Sequence, residues 1–263
     1  MNASSIFIGC AGWSLPREYW PSFPEQGTHL QRYAAHLNGV EINSSFYRPH
    51  KRQTYARWAE SVPDGFRFCV KVPKSISHER RLRDCERELD AFLEQCSGLG
   101  DRLGCLLLQL PPSLAFDEAL AEAFFVELRQ RYSGAVVLEP RHESWAAAEL
   151  LLMAYRIAQA VVDPSRTSTD AAPHGWPNVR YWRLHGSPRI YYSPYDSVYL
   201  EALAGDLRVA VSMALKRGAS STIPPAVWPR PTRCPYSTST RSTSSPSCSY
   251  ASTLGTCHSV INV

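Results

Sequence analysis

The first 206 residues alternate short apolar runs with segments of helical periodicity, and this alternation constrains the fold more than any other feature. Residues 82–100 are the clearest helical segment, because their apolar side chains recur every three or four positions. Asp117 predicts the start of another helix, as an N-cap. The predicted strands are residues 6–12, 39–47, 66–73, 103–112, 135–140, 158–163 and 179–186. Strands and helices in strict alternation predict an α/β fold with a parallel sheet.

These seven strands fit the first seven positions of a TIM-type (β/α) barrel. The chain has 263 residues, 44% of them hydrophobic, and one such barrel typically takes about 250 residues. The eighth unit should follow a helix at about 198–210. Instead, residues 220–263 contain 24 Ser, Thr or Pro. We therefore expect an incomplete barrel over residues 1–212, with its eighth βα unit missing or replaced, and an aberrant or disordered tail over residues 213–263.

The charge distribution argues against a nucleic-acid partner. The whole chain carries a formal charge of +4, but six Lys or Arg and no Asp or Glu follow Asp206. The first 206 residues hold 22 basic and 24 acidic residues, a net charge of −2. The basic excess therefore belongs to the tail rather than to the predicted barrel.

The amino-terminal sequence and the cysteines predict a cytoplasmic location. "MNASSIFIGCAGWS" has neither a basic region nor a long apolar run, so no secretory signal is expected. No stretch approaches the roughly 20 apolar residues of a membrane-spanning helix, which predicts no membrane association. The eight cysteines show no CxxC spacing. Five of them fall in apolar or helical segments and are expected to be buried free thiols: Cys10, Cys69, Cys85, Cys96 and Cys105.

Five blocks of sequence resemble the signature blocks of the family numbered 72 among the domains of unknown function, also called YecE-like. They are "EINSSFYRP", "FCVKVPKSISHERRL", "LLLQLPPSLAFD", "LEPRHESW" and "RLHGSPRIYYSPY", and the resemblance extends in order from residue 6 to about residue 203. It implies a TIM-type barrel without an assigned reaction.

The resemblance also implies a closing block similar to "WCIFDNTA", which the chain lacks. A shifted reading frame from Ser212 permits "DGVEAWCIFDNTASRVAAADALSLFD". The tail is therefore interpreted as a frameshift product that replaces the eighth unit. The alternative is a genuine disordered tail rich in Ser and Pro.

Polar residues at the carboxyl ends of the predicted strands form the candidate site, because barrels of this type place their chemistry there. The catalytic candidates are Glu41, Glu139 and His185. The substrate-binding candidates are Trp13, Asn43, Tyr47, Lys71, His78, Gln109, Arg141, His142, Arg183 and Tyr192.

Several of these residues have an equally reasonable structural role. A buried Glu41 needs a partner, and an ion pair with Lys71 or Arg183 would satisfy it without catalytic meaning. Glu139 and Arg141 are two residues apart on an extended segment and could form an ion pair. An amide inside a barrel, such as that of Gln109, must find hydrogen-bond partners or a ligand. The aromatic residues could serve only in packing.

No metal or cofactor is expected. The sequence has no HxH, HExxH or paired Cys/His spacing for a metal. It also lacks GxGxxG and GxxxxGK[ST] phosphate loops and a GxSxG nucleophile elbow.

The sequence supports two hypotheses for function. The first is an enzyme acting on a small polar substrate, carbohydrate-like or phosphorylated, with Glu41 and Glu139 as acid/base groups and the basic residues holding anionic groups. The second is a small-ligand-binding or regulatory module with the same pocket and no chemistry. Both make a small molecule the expected partner.

Overall fold

The computed structural model describes residues 6–168, 171–220 and 259–262; for residues 213–220 and 259–262 it describes the backbone. The strands in these residues are β1 (Phe7–Cys10), β2 (Gly39–Ile42), β3 (Arg67–Lys71), β4 (Leu103–Gln109), β5 (Ala135–Glu139), β6 (Ile157–Gln159), β7 (Val161–Asp163), β8 (His174–Gly175), β9 (Tyr181–Leu184) and β10 (Ser259–Asn262). The α-helices are α1 (His29–Ala34), α2 (Arg52–Glu60), α3 (Glu86–Cys96), α4 (Glu118–Arg131), α5 (Glu149–Ala154) and α6 (Ser197–Ser220).

All seven predicted strands are present, in the predicted order. The predicted sixth strand is divided at Ala160 into β6 and β7. Asp117 caps α4 as predicted, since its carboxylate accepts a hydrogen bond of 3.1 Å from the backbone N–H of Leu120. Two strands were not predicted from the sequence: the two-residue β8, and β10, which lies within the tail.

The strands form two sheets. One has the order β2-β3-β4-β5-β6-β8 and is parallel except for its edge strand β8. The other has the order β1-β10-β9-β7, in which β10 is antiparallel to both neighbours and β7 is parallel to β9. An isolated parallel bridge between Ala11 and Glu41 links β1 to β2.

The architecture is therefore a mixed α/β fold with a mostly parallel sheet, and its hydrogen bonds do not show a single closed barrel. The predicted ring is interrupted at Ala160, where one chain segment passes from the first sheet to the second. It also includes an antiparallel strand, β10, where a parallel eighth strand was expected. The structure therefore confirms the predicted α/β fold with a mostly parallel sheet. The closed TIM-type barrel stays a prediction.

The strands separate two groups of buried side chains. On one face, residues such as Phe68, Val70 and Leu106 pack with apolar side chains from α1 to α5. The opposite face carries a smaller apolar cluster, which comprises Cys69, Cys105, Leu107, Val137, Ala160, Val162 and Tyr181. Because side chains alternate between faces along a strand, the residues two positions beyond these cluster members lie on the same face.

The helix predicted over residues 82–100 is shorter than its apolar pattern. The backbone adopts positive φ at Arg81, Leu82 and Asp84, which breaks helical geometry before α3 begins at Glu86. Leu82 is nevertheless buried in the helix-facing core. The pattern therefore identified the buried side chains correctly, while the turn fixed where the helix starts.

The five cysteines expected to be buried free thiols are all buried, and among the described residues none of them forms a disulfide. Burial raises the pKa of the thiols of Cys85 and Cys96 to about 12. The helix α6 extends to Ser220, past the expected boundary at residue 212. Residues 221–258 of the predicted tail lie outside the described part of the chain. The expected disorder of the tail therefore stays a prediction. No helix within that part is long and apolar enough to cross a lipid bilayer.

Candidate functional site

The side chains that follow the smaller apolar cluster on the same face are polar. Lys71 lies two residues after Cys69, and Glu139 two residues after Val137, each at the last position of its strand. The same spacing places Gln109 after Leu107 and Arg183 after Tyr181. The face thus changes from apolar to polar towards the carboxyl ends of the strands, and its polar groups meet there.

Arg183 joins the two buried carboxylates. Its Nε and Nη2 donate to Oε2 and Oε1 of Glu41 at 3.1 and 2.9 Å, which is a bidentate ion pair. Its Nη1 donates to Oε2 of Glu139 at 2.5 Å. One guanidinium from β9 therefore connects β2 to β5 across the interior.

Three further groups complete the hydrogen bonding of the carboxylates. The hydroxyl of Tyr181 donates to Oε2 of Glu41 at 3.0 Å. Gln109 Nε2 and Arg141 Nε donate to Oε1 of Glu139 at 2.9 and 3.0 Å. All four carboxylate oxygens consequently accept at least one hydrogen bond.

The charges around Glu139 favour its ionised form. Burial alone would raise the pKa of this carboxyl, but Arg183 and Arg141, the hydrogen bond from Gln109 and the charge of His185 together lower it to about 2. Burial would likewise lower the pKa of Arg183, while Glu139 and Glu41 hold it well above its ordinary value. Glu139 and Arg183 are therefore both charged at neutral pH.

Lys71 lies beside this network without joining it. No described carboxylate forms an ion pair with its Nζ. Instead, Nζ lies 4.2 Å from the centroid of the Phe46 ring, within cation–π range. Burial lowers the pKa of this amine to about 8, with Glu41 and Glu139 opposing the shift and Arg183 and Arg141 adding to it.

The two histidines of interest lie beside the network. His78, in the π-helical turn Ser75–Glu79, packs edge-on against Phe46 with a centroid distance of 4.9 Å. Its Nδ1 is 2.9 Å from the hydroxyl oxygen of Ser77. Burial, helped by the charges of Lys71 and Arg141, lowers the pKa of His78. His185 is buried at the end of β9 and packs edge-on against Tyr191.

The structure brings Glu41, Lys71, Gln109, Glu139, Arg141 and Arg183 together, with His78 and His185 beside them. The ion pairs that the sequence allowed for Glu41 with Arg183 and for Glu139 with Arg141 are both present. Whether any of these residues is catalytic stays a prediction.

The other candidates have local partners of their own. His142 Nδ1 accepts a hydrogen bond from the backbone N–H of Ser144 and so caps the 3-10 helix Glu143–Ala148. Trp13 packs edge-on against Trp58. Asn43 places its Oδ1 in a buried position without a hydrogen bond from the described residues.

Two aromatic candidates face the solvent. Tyr47 is 70% exposed and Tyr192 is 71% exposed. Tyr47 packs edge-on against Phe46, while Tyr192 lies under the guanidinium of Arg189. Neither makes a described contact with the buried carboxylates.

Tyr181 belongs to the site but was absent from the sequence-based candidates. The signal for Tyr181 was available, because it precedes Arg183 by two residues on one strand and so shares its face. Phe46 follows β2 in a 3-10 turn, Ser44–Phe46, where strand periodicity gives no direction.

A cavity opens at the other, amino ends of the strands. Its lining includes the first residues of four strands or their neighbours: Phe7, Gly39, Arg67 and Gly104. This lining is mainly apolar side chains and glycine backbone. Within the described residues no group of three or more His, Cys, Asp or Glu is arranged to hold a metal ion.

The fold and this site define a class: mixed α/β proteins with a buried ionic network at the carboxyl ends of a mostly parallel sheet. The sequence profile described as "Protein of unknown function DUF72" matches residues 7–220. The chain therefore belongs to the DUF72 family, as the sequence blocks implied.

Curated relatives carry names without an activity. The UPF0759 protein YecE of Escherichia coli is 38% identical over 122 residues, which is 46% of this chain and 43% of that protein. The UPF0759 protein YunF of Bacillus subtilis is 27% identical over 148 residues, 53% of this chain and 52% of that protein. The alignments thus span about half the length of these relatives.

Solved structures support the fold. A DUF72 family protein from Thermotoga maritima has a TM-score of 0.60 and 24% identity, covering 79% of this chain and 88% of its own. One from Enterococcus faecalis has a TM-score of 0.57 and 24% identity, covering 71% of this chain and 81% of its own.

Proposed function

We propose that the protein is an enzyme for a small anionic substrate, carbohydrate-like or phosphorylated, which binds at the carboxyl ends of the strands of a TIM-type barrel. The barrel itself belongs to this proposal. It is supported by the seven strands in barrel order and by the position of the polar network at their carboxyl ends.

The surplus of positive charge at the site, counting Lys71 beside the network, is the observation that carries the proposal. Lys71, Arg141 and Arg183 supply three cations, whereas Glu41 and Glu139 supply two carboxylates. Both carboxylates are engaged by arginines, and Lys71 has no described ion-pair partner. A buried positive charge without a counter-ion is costly, and an anionic ligand would remove that cost.

In this proposal the two carboxylates hold Arg183 in place. A carboxyl with a pKa of about 2 is ionised at neutral pH and has no proton to donate. Its oxygens are also occupied by Arg183, Arg141 and Gln109. Proton transfer is better assigned to His78, whose lowered pKa leaves the ring neutral and able to accept a proton near pH 7.

The full occupation of the carboxylate oxygens also favours the second hypothesis, a ligand-binding module without chemistry. A network whose hydrogen bonds are already satisfied can orient a ligand without changing protonation state. The two functions share one site and differ only in whether a bound ligand is converted.

The test is thermal unfolding of the full chain with inorganic phosphate, glucose 6-phosphate and glucose. Ligands that bind the native state raise the melting temperature, so the two anions should raise it while glucose should not. Arg141→Gln should weaken the effect of the anions about tenfold in concentration, because it removes a charge-assisted contact. Arg87→Gln, at an exposed position on α3, is the matched control and should respond like the wild type.

Equal effects of glucose and glucose 6-phosphate, or no effect of either anion, would refute the anionic site. For the choice between the two hypotheses, ¹H and ³¹P NMR of the incubated ligand reports conversion. New resonances that disappear in Arg141→Gln would support an enzyme, and an unchanged ligand that still protects the fold would support a binding module.

A further inference from the structure

Among the cations of the site, Lys71 is the one that the ionic network does not use. We propose that Lys71 is an amine nucleophile that forms an imine with the aldehyde or ketone carbonyl of a small anionic substrate. This inference rests on the proposed function and narrows its substrate class to anionic carbonyl compounds.

The backbone at Lys71 is fixed from the neighbouring strand. The hydroxyl of Ser45 lies 2.6 Å from the carbonyl oxygen of Lys71 and 2.8 Å from that of Ile42, so its single proton is shared between these two acceptors. Ser45 is itself buried, so this contact ties the ends of β2 and β3 together. A nucleophile needs such a fixed base, because a misplaced reacting atom loses rate steeply.

The amine of Lys71 is shielded from solvent, and no described carboxylate forms an ion pair with it. Lys71 is 5% exposed, and Nζ rests over the ring of Phe46, a partner that does not take its proton. The charged groups that act on it are Glu41 from β2, Glu139 and Arg141 from β5 and the segment after it, and Arg183 from β9. Lys71 in turn acts on His78, which packs on the same Phe46 ring.

This environment supplies the neutral form that attacks a carbonyl. With a pKa of about 8, roughly one amine in ten is neutral at pH 7. An ordinary lysine, with a pKa near 10.5, is neutral about 300 times less often. Desolvated lysines of this kind form Schiff bases in other enzymes.

The step balances without an oxidant or a reductant. The lone pair of the neutral amine forms a C–N bond to the carbonyl carbon, and the carbonyl π pair moves to oxygen, giving a carbinolamine after proton transfer from nitrogen to oxygen. The hydroxyl then leaves as water as the nitrogen loses its remaining proton, which leaves a C=N bond. His78 is placed beside Phe46 to carry these protons, and Arg141 to hold the anionic group of the substrate.

The test uses glyoxylate, a small anionic aldehyde, with sodium borohydride added to the full chain at pH 7. Borohydride reduces an imine to a stable carboxymethyl amine, which peptide mass spectrometry assigns to a residue. The chain has four lysines, Lys51, Lys71, Lys74 and Lys216, so the assignment is unambiguous. We expect at least tenfold more modification at Lys71 than at Lys74.

Lys74 is the matched control within the same molecule. It lies three residues along, is about half exposed, and pairs with Glu79 at 2.9 Å. That ion pair raises the pKa of its amine, so Lys74 should react as an ordinary lysine. Lys71→Met should abolish the site-specific labelling, whereas Lys74→Met should leave labelling of Lys71 unchanged.

The outcomes separate this inference from the proposed function. Modification of Lys74 to the same extent as Lys71, or an unmodified Lys71, overturns the imine. If phosphate still raises the melting temperature in that case, the anionic site stands without it. If phosphate has no effect but Lys71 is selectively labelled, the nucleophile stands and the anion assignment fails. The labelling compares lysines within the wild-type chain, so it does not depend on folding of the variants.

Discussion

Arg183 holds three strands through one side chain. It donates two hydrogen bonds to Glu41 and one to Glu139, all in the buried interior. Such a buried ion pair adds little to the free energy of unfolding compared with apolar side chains of the same volume. Removing one partner, however, leaves a buried charge uncompensated. Arg183 is therefore important for stability because its loss would leave the buried charges of Glu41 and Glu139 without their shared partner.

We expect Arg183→Met to lower the free energy of unfolding by about 3–5 kcal/mol, because both carboxylates would lose their principal partner. Urea denaturation followed by circular dichroism measures the change. Adding Glu41→Gln and Glu139→Gln to this variant should restore part of the loss.

The comparison for this prediction is Arg131→Gln. Arg131 forms its ion pairs with Asp90 and Glu127 near the surface, where such pairs contribute about 1 kcal/mol or less. Equal losses of unfolding free energy in the Arg131 and Arg183 variants would show that burial does not make the Arg183 ion pairs more important for stability than surface ion pairs.

The depressed pKa of Glu139 predicts a pH dependence of stability. The folded state holds this pKa at about 2, below the ordinary value of 4.5, so the ionised carboxylate stabilises the fold above pH 4.5. That stabilisation is lost as the pH falls from 4.5 towards 2. It amounts to roughly 3 kcal/mol at full extent, since one pKa unit corresponds to about 1.4 kcal/mol.

Glu139→Gln cannot titrate and should lack this component. The quantity to compare is the difference in unfolding free energy between wild type and variant, measured from pH 7 to pH 2. It should stay constant down to about pH 4.5 and shrink below. A difference that stops shrinking already near pH 4, or that grows as the pH falls, would contradict the assigned pKa.

The sequence identified most of the residues in the network but not their pairing. Strand periodicity places Glu41, Glu139 and Arg183 on one face, and burial then demands partners. Periodicity carries no information about which strands lie opposite each other, so Lys71 and Arg183 were equal candidates for Glu41. The separation of 142 residues between Glu41 and Arg183 lies beyond any local pattern.

At the scale of elements, the junction of β1 with β2 depends on α1. The hydroxyl of Tyr33, from α1, accepts a hydrogen bond of 2.7 Å from the backbone N–H of Cys10 in β1. The same hydroxyl donates to the carbonyl oxygen of Gly39 in β2 at 2.9 Å. It thereby replaces backbone hydrogen bonds between two strands that share an isolated bridge.

Tyr33→Phe should cost about 1–3 kcal/mol of unfolding free energy, because a buried N–H and a buried carbonyl would each lose a partner. Urea denaturation is again the measurement, and hydrogen exchange at the Cys10 amide should accelerate. Tyr47→Phe, which alters an exposed hydroxyl, is the matched control. Similar stabilities for the two variants would rule out the proposed junction.

The elements were more predictable than their ends. Alternation and apolar runs gave the seven strands because those signals are local. The start of α3 was missed because it depends on positive φ angles at Arg81, Leu82 and Asp84, and neither Arg nor Leu signals such an angle. The two-residue β8 has too few residues for any periodicity.

At the scale of the whole molecule, β10 occupies the position where the sequence predicted a missing strand. It lies between β1 and β9 and is antiparallel to both. Register pairs Ile261 with Ile8 on one side and with Trp182 on the other. Without it, β1 and β9 would each present an unpaired edge, and such edges promote association between molecules.

Ile261→Pro removes a backbone donor from this ladder and should lower the melting temperature and promote association. Ile261→Ala keeps the N–H and is the matched control. Light scattering with size-exclusion chromatography measures association as a function of concentration. If the Pro variant stays as monodisperse as the Ala variant, β10 does not protect these edges.

The separation along the chain between Arg183 and its carboxylate partners has a consequence for the order of folding during synthesis. Glu41 is made long before Arg183, its ion-pair partner, and closing a loop of 142 residues has an entropic cost. A nascent chain that ends before residue 183 would have to bury Glu41 without its ion-pair partner, and Glu139 with Arg141 as its remaining ion-pair partner, to complete its core. We therefore expect the amino-terminal strands to remain loosely packed on the ribosome, and the chain to tighten in one late step once β9 has emerged.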